Sequence, residues 1–254
     1  MTGDVVVETV GHVAVIALNR PPANYFDLSL IIQLVDAAQR AQEDGRRAIV
    51  LCSEGKHFCA GANFGSADTG DARVTSTAQL YHKAIELFEL EIPVIAAVQG
   101  AAVGGGLGLA CAADFRVASP ASRFHANFSL LGFHQGFGLS ASLPRIVGSQ
   151  RAAKMLYSSE RVDGEHAASM GLADRLVETG TERDAALSWA SELAVAAPLA
   201  VRSIKSTLRS PVIHEVREAV ERELVEQARL WSTEDSEIGI AASLARTTPT
   251  FFGR

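Results

Sequence analysis

Cysteine is scarce in this sequence, with three thiols, Cys52, Cys59 and Cys111, among 254 residues. An odd number of cysteines in apolar or small-residue surroundings excludes a disulfide framework and reads as reduced interior thiols. A dominant charge is lacking as well. Net charge is −6, with Lys, Arg, Asp and Glu interspersed along the chain. No basic stripe is offered to a nucleic-acid backbone, so an anionic ligand has to be held by a few local cations. No apolar run is long enough to cross a bilayer, and the opening MTGDVVVETV has neither the basic nor the apolar region of a signal peptide. The expectation is a cytoplasmic protein without membrane contact. His57 and Cys59 stand close together, but no second pair at ligand spacing follows them, and no metal is expected. A Gly-Lys-Ser/Thr phosphate loop is missing. Gly136-Phe137-Gly138-Leu139-Ser140-Ala141 fits G-x-G-x-x-A in form only. It does not follow the first strand of a β-α-β unit, and no acidic residue stands at a second strand about twenty positions on.

What is present is a chain 48% hydrophobic and 20% charged, enough to bury a large core in one compact unit with a modest appendage. Val5 to Val7 and Val13 to Leu18 flank Gly11-His12 and predict a hairpin. Helical spacing of apolar residues from Ser29 to Glu43 precedes a buried strand at Ala48 to Cys52. The pattern repeats with a helix from about Thr77 to Leu90, a strand at Val94 to Val98 and a small-residue helix at Gly105 to Ala112. Strands at Phe115 to Ala118 and Arg123 to Ala126 follow, then a loop over Gly132 to Gly138 and a helix at Leu139 to Ile146. After Val177 the strands stop. Helices are predicted at Ala185 to Ala196, Leu199 to Leu208, Val212 to Trp231 and Ser236 to Arg246, separated by Pro198 and Pro211, with Pro249 after the last. The fold class is therefore α/β. Residues 1–195 form the core that carries any site, and 196–254 a helical region.

Two glycine-rich turns stand out. His57-Phe58-Cys59-Ala60-Gly61-Ala62-Asn63 follows a buried strand and is built of residues too small to shield their own backbone. Gln99-Gly100-Ala101-Ala102-Val103-Gly104-Gly105-Gly106 ends a strand and starts a helix on three consecutive glycines, where free N–H groups and the positive end of the helix dipole converge. Facing each other, two such turns form an oxyanion hole, a pair of donors aimed at an oxygen that gains charge. Taken singly, each turn is equally a packing device: three glycines let a helix lie close against a strand.

These two turns closely resemble the signature turns of the crotonase superfamily, the enoyl-CoA hydratase/isomerase family. The resemblance extends to Leu18-Asn19-Arg20-Pro21-Pro22-Ala23-Asn24, to Leu143-Pro144-Arg145-Ile146-Val147-Gly148 and to the C-terminal Pro249-Thr250-Phe251-Phe252-Gly253-Arg254, so that it covers nearly the whole chain. It implies a crotonase-like spiral of ββα units with a C-terminal helical region that forms a homotrimer or a dimer of trimers. It further implies an acyl-CoA thioester as substrate, with no separate cofactor because coenzyme A is part of that substrate. The backbone N–H groups of Ala62 and Gly105 would hold the thioester carbonyl, and Ala60 and the Ala23 region would border the CoA moiety. Arg246 would reach the CoA of a neighbouring subunit, and Arg20 is a second candidate cation for its phosphates.

The chain departs from the family at the two glutamates with which hydratases position water. Gly108 and Phe128 occupy those positions, and neither can exchange a proton. The aspartate of the dehalogenase branch falls on Gly136. His134, Gln135, Tyr81, His82, Asn63 and Asp68 remain as titratable or polar groups near the expected acyl pocket. His134 is the candidate general acid/base by its ordinary pKa, or else a loop histidine bonded to backbone. Tyr81 either donates a proton or packs. His57 is expected to support its turn, and His12, His82, His166 and His214 to lie on the surface. Three functions fit these residues. The first is an enzyme working through a stabilised enolate, by isomerisation, decarboxylation or C–C cleavage. The others are a weak hydratase with water held by backbone and Gln135, and a protein that binds acyl-CoA without turnover.

Overall fold

The computed structural model describes residues 3–64 and 69–254. β1 (Val5–Val10) and β2 (Val13–Leu18) pair antiparallel as the opening hairpin, and β2 continues in parallel into β3 (Ala48–Ser53), β4 (Val94–Val98), β6 (Phe115–Ala118) and β9 (Arg175–Leu176). Every residue of β2, β3 and β4 is buried. That is why these strands read as continuous apolar runs: a parallel sheet is covered on both faces. Val13, Val15, Val50 and Ala97 face Ala186, Ala190 and Ala194 of α7 (Glu182–Ala194), whose small side chains let the helix lie close. Residues of opposite parity, such as Ile16, Leu18, Leu51 and Ala96, join the main core with α1 (Leu28–Glu43) and α2 (Gly70–Phe88).

A second sheet is formed by β5 (Ala101–Val103), β7 (Arg123–His125) and β8 (Arg161–Asp163). The remaining helices of this part of the chain are α3 (Gly105–Ala112), α4 (Leu139–Val147), α5 (Ser149–Ser158) and α6 (Gly164–Ser169). The result is α/β, a spiral of strand-strand-helix units closed by C-terminal helices. Among the described residues no helix is long and apolar enough to cross a membrane. The sequence pattern does not reveal β5, β8 or α6. Strands of three residues are too short to display an alternation.

One expectation is corrected. Pro211 does not divide two helices: α8 runs unbroken from Pro198 to Trp231. Proline removes one backbone donor and crowds the preceding turn. Val212, Val216 and Val220, directly beyond it, are buried in the main core, and burial of three branched side chains at roughly 1.5 kcal/mol or more each outweighs that loss. α9 (Glu234–Ala245) completes the chain.

Near its start α8 is fixed to the sheet by a buried charge. Lys205 Nζ donates to the Ile92 carbonyl at 2.7 Å and to Asp114 Oδ2 at 2.6 Å, and the same carboxylate oxygen accepts the Val94 N–H at 2.8 Å. Removing one partner of a buried pair leaves the other charge uncompensated. Asp114→Asn is expected to destabilise the protein by about 3 kcal/mol, and Lys205→Met by less, as read from the midpoint and slope of urea unfolding.

Candidate active site

The first glycine turn lies between two other segments and is bonded to both. On one side the Ala60 N–H donates to the Ala23 carbonyl at 2.9 Å, and the Phe26 N–H to the Gly61 carbonyl at 3.0 Å. On the other, the Cys59 N–H donates to the Ala101 carbonyl, and the Val103 N–H to the Cys59 carbonyl, both at 3.0 Å. Asn24 locks the arrangement. It is fully buried, with φ +50°, a left-handed conformation that asparagine tolerates. Its amide oxygen accepts from the Arg20 N–H at 2.8 Å, while its nitrogen donates to the carbonyls of Glu54 at 2.8 Å and His57 at 2.7 Å. His57 Nδ1 accepts the Ala101 N–H at 3.3 Å. This ring braces the turn, and burial, with nearby Lys56, depresses its pKa.

The glycines serve close approach. A Cβ on Gly61, where φ is +81°, would stand 2.8 Å from the Val103 carbonyl oxygen and 3.6 Å from the Gly105 nitrogen. One on Gly105 would collide with the Phe26 ring, and one on Gly106 with the Cys59 carbonyl. Packing and exposure of backbone donors are thus one device. Gly105 opens α3, so its N–H has no carbonyl to meet within the helix. Ala62 and Gly105 line the same cavity of about 880 Å³.

That cavity brings together Ala23, Ala60, Ala62, Gly105 and Tyr81, with Arg20 and Asn63 also on its wall. Part of its lining is aromatic. Phe133 packs edge-on against Phe64 at 5.8 Å, Trp231 at 5.9 Å and Phe128 at 6.2 Å between ring centres. Among the described lining residues one carboxylate occurs, Asp27. It caps α1 through the Leu30 N–H and pairs with Arg20 at 2.8 Å. Arg20 is held on its other side by Asp4 at 2.7 Å. Gly108 has no room for a glutamate, because its Cβ would lie 2.6 Å from that of Phe137. The Phe128 ring is itself part of the wall. At Gly136 any Cβ would overlap the Tyr81 hydroxyl.

Other predicted groups stand elsewhere. His134 and Gln135 are not among the residues lining the cavity. His134 Nδ1 lies 2.8 Å from the Gln135 carbonyl, and Gln135 Nε2 donates to Ser140 Oγ at 3.0 Å. His82 is exposed and paired with Glu221 at 2.7 Å. Arg246 ends α9 on the exposed surface with φ +57°. Asp68 lies outside the described residues. His12, His166 and His214 are exposed. All three cysteines are free and buried; burial pushes the thiol pKa up to about 11 at Cys52 and Cys111 and about 12 at Cys59. No group of three or more potential metal ligands is gathered among the described residues.

α8 supplies residues that the sequence reading passed over. Glu223 is fully buried, and its carboxyl accepts the Gly138 N–H and the Ser140 N–H, each at 2.8 Å, at the start of α4. One turn on, Gln227 Nε2 donates to the His134 carbonyl at 2.9 Å and to Tyr81 Oη at 3.3 Å. Burial raises the Tyr81 pKa, so the phenol is neutral. A signal for both existed. Val212, Val216, Val220, Glu223 and Gln227 share one helical stripe, and polar residues that continue an apolar stripe are buried with a task.

Sequence and structure comparisons agree with the geometry. The enoyl-CoA hydratase/isomerase profile matches residues 8–254. Over 203 residues, 78% of each chain, the sequence is 40% identical to a probable enoyl-CoA hydratase of Mycobacterium tuberculosis. It is 32% identical to the 2,3-dehydroadipyl-CoA hydratase of Escherichia coli over 99% of both chains. The crystal structure of an enoyl-CoA hydratase/isomerase from Pseudoalteromonas atlantica superposes with a TM-score of 0.88 at 27% identity, covering 98% of this chain and 100% of that one. The chain belongs to the enoyl-CoA hydratase/isomerase family, within the crotonase superfamily.

Burial raises the Glu223 pKa to about 7, against the opposing pull of the Ser140 and Gly138 donors. In the unfolded chain the same carboxyl ionises near its ordinary value of 4.5. The unfolded state therefore releases the proton first, and the stabilising contribution is full below 4.5 and lost as pH rises through 7. Glu223→Gln should remove this loss. The stability difference between wild type and variant, measured by urea unfolding across that interval, is expected to shift in the variant's favour as pH rises.

Proposed function

We propose that the protein is an acyl-CoA enzyme of lyase or isomerase type. The N–H groups of Ala62 and Gly105 receive the thioester carbonyl and stabilise its enolate, and Ala23 and Ala60 border the CoA moiety. The observation that carries this reading is the cavity wall itself. The two glycine-rich turns that carry Ala62 and Gly105 both line it, while its one described carboxylate is committed to Arg20 and to the α1 cap. A two-glutamate hydratase needs a pair of carboxylates to hold and activate water, and Gly108 and Phe128 cannot supply them. Enolate chemistry needs less. Donors aimed at the developing oxyanion typically contribute about 3 kcal/mol each, and decarboxylation, isomerisation or C–C cleavage then proceeds with one proton moved.

Tyr81 is the residue assigned to that proton. It is on the wall, neutral, and bonded to Gln227 through its oxygen, so its hydrogen is available. His134, the other candidate, has Nδ1 engaged with the Gln135 carbonyl and enters only if its loop moves. A second reading is acyl-CoA binding without turnover. It is supported by the same shortage of proton-transfer groups.

Incubation with malonyl-type, β,γ-enoyl and α,β-enoyl CoA esters, followed by mass spectrometry, separates these readings. Conversion of a malonyl-type or β,γ-enoyl ester is expected, with Tyr81→Phe lowering the rate at least about a hundredfold. Unchanged substrates despite binding would favour the second reading, and rapid hydration of α,β-enoyl-CoA would defeat both. The hole has its own readout. The carbonyl stretch of a bound saturated acyl-CoA is expected to move to lower wavenumber than in water, and an unmoved band would remove Ala62 and Gly105 from the site.

Self-association belongs to the same proposal, as a homotrimer or dimer of trimers in which Arg246 reaches a neighbour's CoA. Its support is the apolar surface left on the C-terminal helices, at Leu199, Ile204, Leu208, Val225 and Leu244. Sedimentation equilibrium is expected to give three or six times the chain mass of 26.9 kDa; a monomer at micromolar concentration would refute it.

A further inference from the structure

Four aromatic residues line the cavity as one connected cluster that begins at the donor turns. A Cβ on Gly104, the residue before Gly105, would lie 3.8 Å from Phe128 Cζ, and Phe64 follows Ala62 by two positions. Phe128 and Phe64 both meet Phe133, and Phe133 in turn meets Trp231. All three contacts are edge-to-face, with ring planes at 75°, 61° and 69°. None of the four rings is sealed off. Each is part of the cavity wall; Phe128 and Phe133 keep 5% of their surface open, while Phe64 and Trp231 are half-buried. Edge-to-face order arises because the positive rim of one ring meets the negative face of the next. Interiors pack as densely as organic crystals, so the guest that continues this order is another ring. An alkyl chain buries area equally well but presents neither rim nor face.

We propose that the acyl group of the thioester substrate is aromatic, a phenyl-type ring on a short linker, and that Phe64, Phe128, Phe133 and Trp231 form its seat. The short linker follows from where the cluster starts, beside Gly104 and close in sequence to Ala62, which is where the carbonyl is held. A saturated ring is the decisive comparison. Cyclohexyl has the same number of carbons as phenyl and gains at least as much from leaving water, but it has no quadrupole to set against the rims and faces of the wall. The inference rests on the acyl-CoA reading above and deepens it by naming the class of acyl group.

The test measures affinities by calorimetry for phenylacetyl-CoA, 3-phenylpropanoyl-CoA and 4-phenylbutanoyl-CoA, each against the ester with cyclohexyl in place of phenyl. At one linker length or more the phenyl ester is expected to bind about fivefold or more tighter than its partner. Phe133→Leu, which removes the central ring, should bring that ratio close to one. Trp231→Leu should lower it, and Trp231→Phe, which keeps a ring there, should preserve it. Should Phe133→Leu fail to fold, the two Trp231 variants decide. Equal affinities within every pair, or a preference for cyclohexyl, would overturn the proposal. So would a ratio that survives the loss of a ring, or one that falls as far in Trp231→Phe as in Trp231→Leu, since the cause would then be volume and not ring character. If none of the six esters binds, the acyl-CoA reading itself falls and takes this inference with it, an outcome distinct from binding without preference.

Discussion

The main-chain contact between the two glycine turns is the constraint on which the rest of the site depends. Cys59 is bonded through both its N–H and its carbonyl to the strand that leads into Gly104. Gly61, Gly105 and Gly106 have no space for a side chain at that contact. The two turns are held together mainly by main-chain bonds, with the Asn24 and His57 side chains bracing the first. Preorganised donors cost no rearrangement when charge develops in front of them. Asn24, His57 and the Ala23 carbonyl extend the same logic outward, fixing the loop that borders the cavity to the turn that supplies Ala62.

Side chains divide along a different line. Some fill the space a glycine leaves: Phe26 covers Gly105, Phe137 closes Gly108, and the Tyr81 hydroxyl sits beside Gly136. The last two are matched pairs, a glycine against a ring, and they account physically for a wall with one described carboxylate. A glutamate introduced at position 108 alone would be driven into Phe137.

Much of this was legible in the sequence. The parallel strands announced themselves as unbroken apolar runs because both faces are covered. The two turns were visible as small-residue junctions, and it was the family resemblance that drew Ala23, Ala60, Ala62, Gly105 and Tyr81 together, all of which line one cavity. What escaped detection was set by tertiary contact. Nothing local to Pro211 says that three buried valines carry the helix through it. Nothing local to His134 says that its carbonyl, rather than its ring, is what Gln227 holds near the cavity. Glu223 and Gln227 do not stand out among their neighbours until their register with Val212, Val216 and Val220 is counted.

The placement of α8 has an evolutionary corollary. The contact between the two glycine turns is made by peptide groups and is indifferent to most side-chain replacement, whereas Gln227 and Trp231 line the cavity from a separate helix. Mutational drift along that one helical stripe can therefore reshape the cavity wall while the contact between the turns is inherited intact, so that sister proteins can diverge in what the cavity holds without rebuilding its frame.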